Sequence, residues 1–145
     1  MRVALTATQQ GINGRQWTTL YDVLRQLKPA LFIHGACLGG DDQGDSMAAD
    51  LGIPRIAFPS TIGKKRVPDD ELKRRTGSLI MIMPAEQPLI RNIKMLKCAK
   101  VIEGSKLIAC PRQRHEIIRS GTWTTVRHGR RILGTQNVII ISPEG

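Results

Sequence analysis

Arg119-Ser120-Gly121-Thr122-Trp123-Thr124-Thr125-Val126-Arg127 gathers the residue types that hold a phosphate: small hydroxyl residues around a glycine, at the start of a predicted helix. The first turn of a helix offers unpaired N–H groups and the positive end of the helix dipole to an anion. Ser120 and Thr122 add hydroxyl donors. Gly121 is expected to bring backbone close to a ligand, so a β-branched residue there would block the approach and penalise any positive φ. An N-cap before an ordinary amphipathic helix uses the same residues, and both readings stand at this stage.

Two other segments carry unusual chemistry. Gly35-Ala36-Cys37-Leu38-Gly39-Gly40-Asp41-Asp42 holds three glycines that allow tight backbone approach, with Gly35 and Gly39 as candidate ligand contacts. Asp41 either accepts from a ribose hydroxyl or caps the helix predicted from Asp45. The second segment, Pro84 to Pro88, leads into Arg91-Asn92. His34 reads as a strand-end histidine satisfied by backbone. Cys37 reads as a small packed residue, because no base is placed to activate it. His115 and His128 have no ligand spacing, so neither a metal nor any other cofactor is assigned.

Strand signals at Arg2 to Thr6, Leu31 to His34, Arg55 to Phe58, Leu79 to Met83, Leu107 to Cys110 and Val138 to Ser142 alternate with helical ones. Trp17, Leu20, Tyr21, Leu24 and Leu27 recur at steps of three and four, an amphipathic helix ended by Pro29. Shorter helices are predicted over Asp45 to Leu51, from Pro88 with Leu89, Ile93, Leu96 and Ala99 on one face, and over Thr122 to Leu133. The alternation predicts an α/β fold: a single Rossmann-like three-layer sandwich over residues 1–145 with a mostly parallel sheet. In such a sheet the three unusual loops leave one edge together, where ligands bind at the switch in strand order. Ser60 to Ser78, rich in basic residues, is expected to be a mobile connection or a lid.

Composition narrows the partners. The 145 residues carry 22 Lys and Arg against 12 Asp and Glu, a net +10 that attracts phosphates, nucleotides or nucleic acid. Aromatic residues are only 3% of the chain, too few for the stacking platforms of single-strand binders. No apolar run approaches the roughly 20 residues of a membrane span, and the N-terminus reads as a strand, so a cytoplasmic protein without membrane contact is expected. Three cysteines without C-x-x-C spacing suggest neither a disulfide framework nor a zinc site.

His34-Gly35-x-Cys37-x-Gly39-x-Asp41, Arg91-Asn92, Leu107-Ile108-Ala109-Cys110-Pro111 and Arg119-Ser120-Gly121-Thr122-Trp123-x-Thr125-Val126-Arg127, in this order, resemble the SLOG superfamily of Rossmann-like proteins. That superfamily includes the DNA-processing protein A group, the Lonely Guy phosphoribohydrolases, molybdenum-cofactor carriers and nucleotide-sensor domains. The resemblance covers nearly the whole chain. It implies a nucleotide ligand whose phosphate sits on Ser120-Gly121-Thr122, with Arg91 as a cationic clamp, and it suggests a homodimer. A guanidinium fork suits phosphate oxygens; Asn92 either caps its helix, donates to a ribose or base, or pins the glycine loop.

The resemblance to the Lonely Guy hydrolases is partial. The glutamate of their Gly-Gly-x-Gly-Thr-x-x-Glu loop falls at Thr125 here, which leaves Asp41 and Glu116 as candidate substitutes for a catalytic acid. Glu116 alternatively pairs with Arg112, Arg114 or Arg119 as a solvated loop charge. The favoured expectation is a protein that binds a nucleotide or nucleotide-derived phosphorylated small molecule as a carrier, sensor or sequestering protein. Hydrolysis or transfer at an N-glycosidic bond is the second, and single-stranded DNA binding the third.

Overall fold

A computed structural model describes residues 1–144. Its first strand, β1 (Arg2–Ala7), shows how the sheet is covered: Val3 and Leu5 face one way and Ala4 the other, and all three are fully buried. Helices α1 (Gly14–Leu27) and α2 (Gly40–Asp50) bury Leu20, Leu24, Met47 and Ala48 with Val3, Leu5 and Phe32. On the opposite face α4 (Pro88–Lys100) and α5 (Gly121–Leu133) place Met95, Leu96, Ala99 and Ile132 with Ala4, Ile33 and Leu107. These are the two helical layers of a Rossmann-like α/β sandwich.

The remaining strands are β2 (Leu31–His34), β3 (Arg55–Ala57), β4 (Ile80–Ile82), β5 (Lys106–Cys110) and β6 (Val138–Ile140). All pairings are parallel, in the order β4-β3-β2-β1-β5-β6. The chain builds outward from β1 to β4, then returns through α4 to place β5 on the other side of β1. The switch in strand order therefore lies between β1 and β5, and the loops leaving their carboxyl ends part there.

Several local expectations change. α2 begins at Gly40, five residues before Asp45, because Gly39 takes φ 86° as N-cap without any side-chain bond. Asp41 thus lies inside the first turn and caps nothing. In α4 the buried positions are Arg91, Met95, Leu96 and Ala99, whereas Leu89 is 56% exposed; the face is rotated toward the arginine. Trp17 is 42% exposed and stacks on Tyr21 at 5.3 Å between ring centroids.

Ser60 to Ser78 is docked rather than loosely connected. The Leu38 N–H donates to Lys65 O (2.6 Å) and the Val67 N–H to Ala36 O (2.8 Å), which lays the segment antiparallel to the β2–α2 loop. Val67 and Leu72, the latter in the short helix α3 (Asp69–Arg74), are fully buried against Ala36 and Ala57. Among the described residues no helix is long and apolar enough to cross a membrane.

Candidate functional site

A crevice of about 480 Å³ opens over the carboxyl ends of β1 and β5, at the switch point. Its walls are the β1–α1 loop (Thr8, Gln9, Gln10), the β5–α5 loop (Arg112, Gln113, Ile117, Arg119) and the start of α5; Cys37, Asp41, Arg91 and Asn92 close the inner side. Its size lies in the range of small-molecule sites.

The α5 end of the crevice is built by capping. Ser120 is the N-cap, its Oγ accepting from the Trp123 N–H at 3.3 Å. That leaves the N–H groups of Gly121 and Thr122, in the first helical turn, without a main-chain partner, and both residues line the crevice. The Ser120 hydroxyl proton is free to donate. Thr125, one turn on, returns its own hydroxyl to Gly121 O at 3.1 Å and is the most buried of the lining hydroxyl residues. Arg112 and Arg119 line the same end and form no ion pair among the described residues.

The inner side is a knot around Gly35. Arg91, 8% exposed, anchors through one nitrogen: Nη1 donates to Gly35 O at 2.6 Å and to Phe58 O at 3.3 Å. Among the described residues Nε has no partner, and Nη2 has only the Cys37 sulfur at 3.7 Å. Nε and Nη2 form the side-on fork of a guanidinium, the edge that takes two oxygens of one anion. Among the described residues no carboxylate forms an ion pair with this buried cation, although the charge of Asp41 acts on it across Gly35. A Cβ on Gly35 would stand 2.5 Å from Arg91 Nη1 and 3.0 Å from Asp41 Oδ2, so the glycine makes room for these two side chains, and it lines a smaller cavity beside the crevice.

Asp41, 6% exposed, accepts through Oδ2 from the N–H groups of Gly35 (3.1 Å) and Cys37 (3.3 Å). Its Oδ1 is buried and unpartnered. Burial pushes its carboxyl up, against the pull of His34, Arg91 and the two N–H donors. Burial also raises the Cys37 thiol to about 11, with the neighbouring Asp41 charge adding to it, so Cys37 is no nucleophile at neutral pH.

A buried polar network stands behind this knot. Ala36 N–H donates to His34 Nδ1 (3.0 Å), so Nε2 carries the proton and donates to Asp45 Oδ1 at 2.8 Å. Asp45 Oδ2 accepts from Arg55 (2.8 Å) and Arg75 (2.9 Å), and Arg75 continues to Asp42 at 2.7 Å. Burial alone would raise Asp45, but the hydrogen bonds of His34 and Arg75 and the Arg55 charge outweigh it and hold its carboxyl below the usual carboxylate range. His34 is therefore satisfied by backbone on one nitrogen only.

The crevice collects Asp41, Arg91, Asn92, Ser120, Gly121, Thr122 and Thr125, but neither Gly35 nor Gly39 lines it. Gly39 serves the chain instead, since a Cβ there would stand 2.4 Å from Gln9 O. Gly121 has no positive φ and open space where a Cβ would be, so the expected strain at that position is absent. Asn92 caps nothing, because α4 is capped at Gln87, and Arg91 rather than Asn92 pins the glycine loop. Glu116 lies outside the crevice and pairs with Arg127 and Arg130 of α5, both at 3.2 Å, in place of the loop arginines. Those two donors hold its carboxyl below the usual carboxylate range.

Sequence reasoning does not single out Thr8, Gln9 and Gln10, although a polar Gln-Gln-Gly turn after the first strand is a visible signal. The Asp45–Arg55 pair leaves no such signal, because it forms between two elements, α2 and β3. No protein-family model matches the chain, and no curated protein sequence does.

Proposed function

We propose that the crevice binds a nucleotide or nucleotide-derived phosphorylated small molecule, as a carrier, sensor or sequestering protein of the SLOG type. The observation that carries this reading is the free side-on fork of Arg91. Among the described residues no carboxylate forms an ion pair with this buried guanidinium, only the charge of Asp41 across Gly35 offsets it, and its other edge is fixed to two carbonyls, so an anion at the open edge would complete it. The unpaired N–H groups of Gly121 and Thr122 and the unpaired Arg112 and Arg119 line the same cavity. A nucleoside part then meets Asn92, Gln9 and the buried Oδ1 of Asp41, which is an acceptor for a ribose hydroxyl.

Phosphate contacts of this kind are worth about 1.5–3 kcal/mol each, so a nucleotide should bind at least roughly tenfold tighter than its nucleoside. Calorimetry over a panel of 5′-nucleotides and nucleosides tests this, with Arg91→Ala expected to reduce the difference while the protein still melts cooperatively. Equal affinities for nucleotide and nucleoside would sink the reading. Asp41 supports a second one, N-glycosidic hydrolysis or transfer, because it is the one acid among the described residues that line the crevice and burial favours its protonated form. Release of free base from a bound nucleotide, followed by chromatography, distinguishes the two.

A further inference from the structure

The crevice does not end at Arg91. A second chamber of about 250 Å³ lies on the far side of the wall formed by Gln9, Cys37, Pro88 and Arg91, residues that line both spaces. Its character differs from the first. Ala36, Ile62 and Pro88 give it apolar walls, Ser60 contributes a hydroxyl, and Lys64, Lys65 and Arg66 form its rim.

This rim is held in place from both ends. Leu38 and Ala36 take up Lys65 and Val67 by main-chain hydrogen bonds, while the Thr61 N–H donates to Glu86 O at 2.9 Å and the Glu86 N–H to Pro59 O at 3.1 Å. Arg66 is neutralised by Asp69 at 2.7 Å, but Lys64 and Lys65 form no ion pair among the described residues. The first chamber is by itself large enough for one nucleotide unit. A second space that shares Arg91, whose Nε has no partner among the described residues, has apolar walls and carries two unneutralised cations at its mouth is surplus to a mononucleotide.

We infer that the ligand is a two-unit phosphorylated molecule of dinucleotide size, spanning both chambers across Arg91. This rests on the reading of the crevice as a nucleotide site. A terminal phosphate occupies the α5 end. The phosphate linking the two units meets the Nε and Nη2 fork, and the second nucleoside lies between Ile62 and Pro88 with Lys64 and Lys65 above it. One wall side chain thus reads the linkage, and the two chambers read what it joins.

The test compares each 5′-mononucleotide with the matching 5′-phosphorylated dinucleotide by calorimetry at one salt concentration. Three proteins are used: the parent, Lys64→Ala/Lys65→Ala, and Lys97→Ala/Lys100→Ala. The last pair, in the final turn of α4, removes the same charge far from the chamber. In the parent and the α4 variant the best dinucleotide should bind at least roughly tenfold tighter than its mononucleotide, the worth of one added charge-assisted contact. In Lys64→Ala/Lys65→Ala most of that gain should vanish with mononucleotide affinity unchanged. Mononucleotide binding without a dinucleotide gain overturns the inference and leaves the nucleotide reading intact. A gain that survives in Lys64→Ala/Lys65→Ala overturns the chamber assignment. Absence of binding by either class overturns both readings.

Discussion

Asp41 and Arg91 are neighbours across Gly35, and the structure treats them differently. Arg91 is anchored on one edge and has only the Cys37 sulfur on the other, whereas Asp41 is anchored through Oδ2 and has an Oδ1 without a hydrogen-bond partner among the described residues. Burial without full compensation raises the native pKa of Asp41 above its unfolded value of about 3.9. The folded state therefore holds the proton more tightly, and stability falls as pH rises from about 4 through the native value. Asp41→Asn keeps an acceptor for Gly35 and Cys37 and removes the buried charge. Its melting temperature should exceed the parent's by a few degrees near neutral pH and match it below about pH 4, measured by thermal melts across pH. A variant less stable than the parent near neutral pH would contradict the account. At this scale the sequence shows Arg91 as an anion-binding residue type, but its anchoring partners lie 56 and 33 residues away and only the fold brings them close.

At the scale of elements, the Asp45 network ties α2 to β2, β3 and the segment after α3, and through Ala36 it reaches the loop that Asp41 and Arg91 hold. Removing one partner of a buried ion pair leaves the other charge uncompensated. Asp45→Ala should therefore cost about 3–5 kcal/mol, read by urea denaturation, with Arg55 left buried. The pH signature is opposite to that of Asp41. With its native pKa held below the unfolded value, Asp45 contributes stability that is complete above about pH 4 and lost as pH falls through the native value, and Asp45→Asn should lack this acid limb. The elements were legible where one face repeats, as in α1 with its Asn13–Gln16 capping box and buried Leu20 and Leu24. They were less so where a tertiary contact sets the boundary. α2 starts early because Gly39 must pass the backbone of Gln9, and the α4 face turns because Arg91, not Leu89, is taken into the interior.

For the whole molecule, the question is what a net charge of +10 attracts. Three arginines, Arg91, Arg112 and Arg119, line the crevice, while most of the 22 basic residues are spread elsewhere over the chain. A long polyanion meets this dispersed charge and little else, since aromatic residues are 3% of the chain and Trp123 is buried in the core. Its binding is then driven by counterion release and weakens steeply with salt. A small ligand meets the crevice, where Arg91 is shielded from the ions that screen exposed charge. Titrating a labelled single strand and a mononucleotide panel at about 50 and 200 mM salt separates the two cases. Strand affinity should fall by roughly a hundredfold or more over that interval if six or more phosphates are neutralised, and mononucleotide affinity by much less. Tight strand binding that resists salt, with no affinity for any mononucleotide, would reverse the assignment and make single-stranded DNA the ligand of this fold.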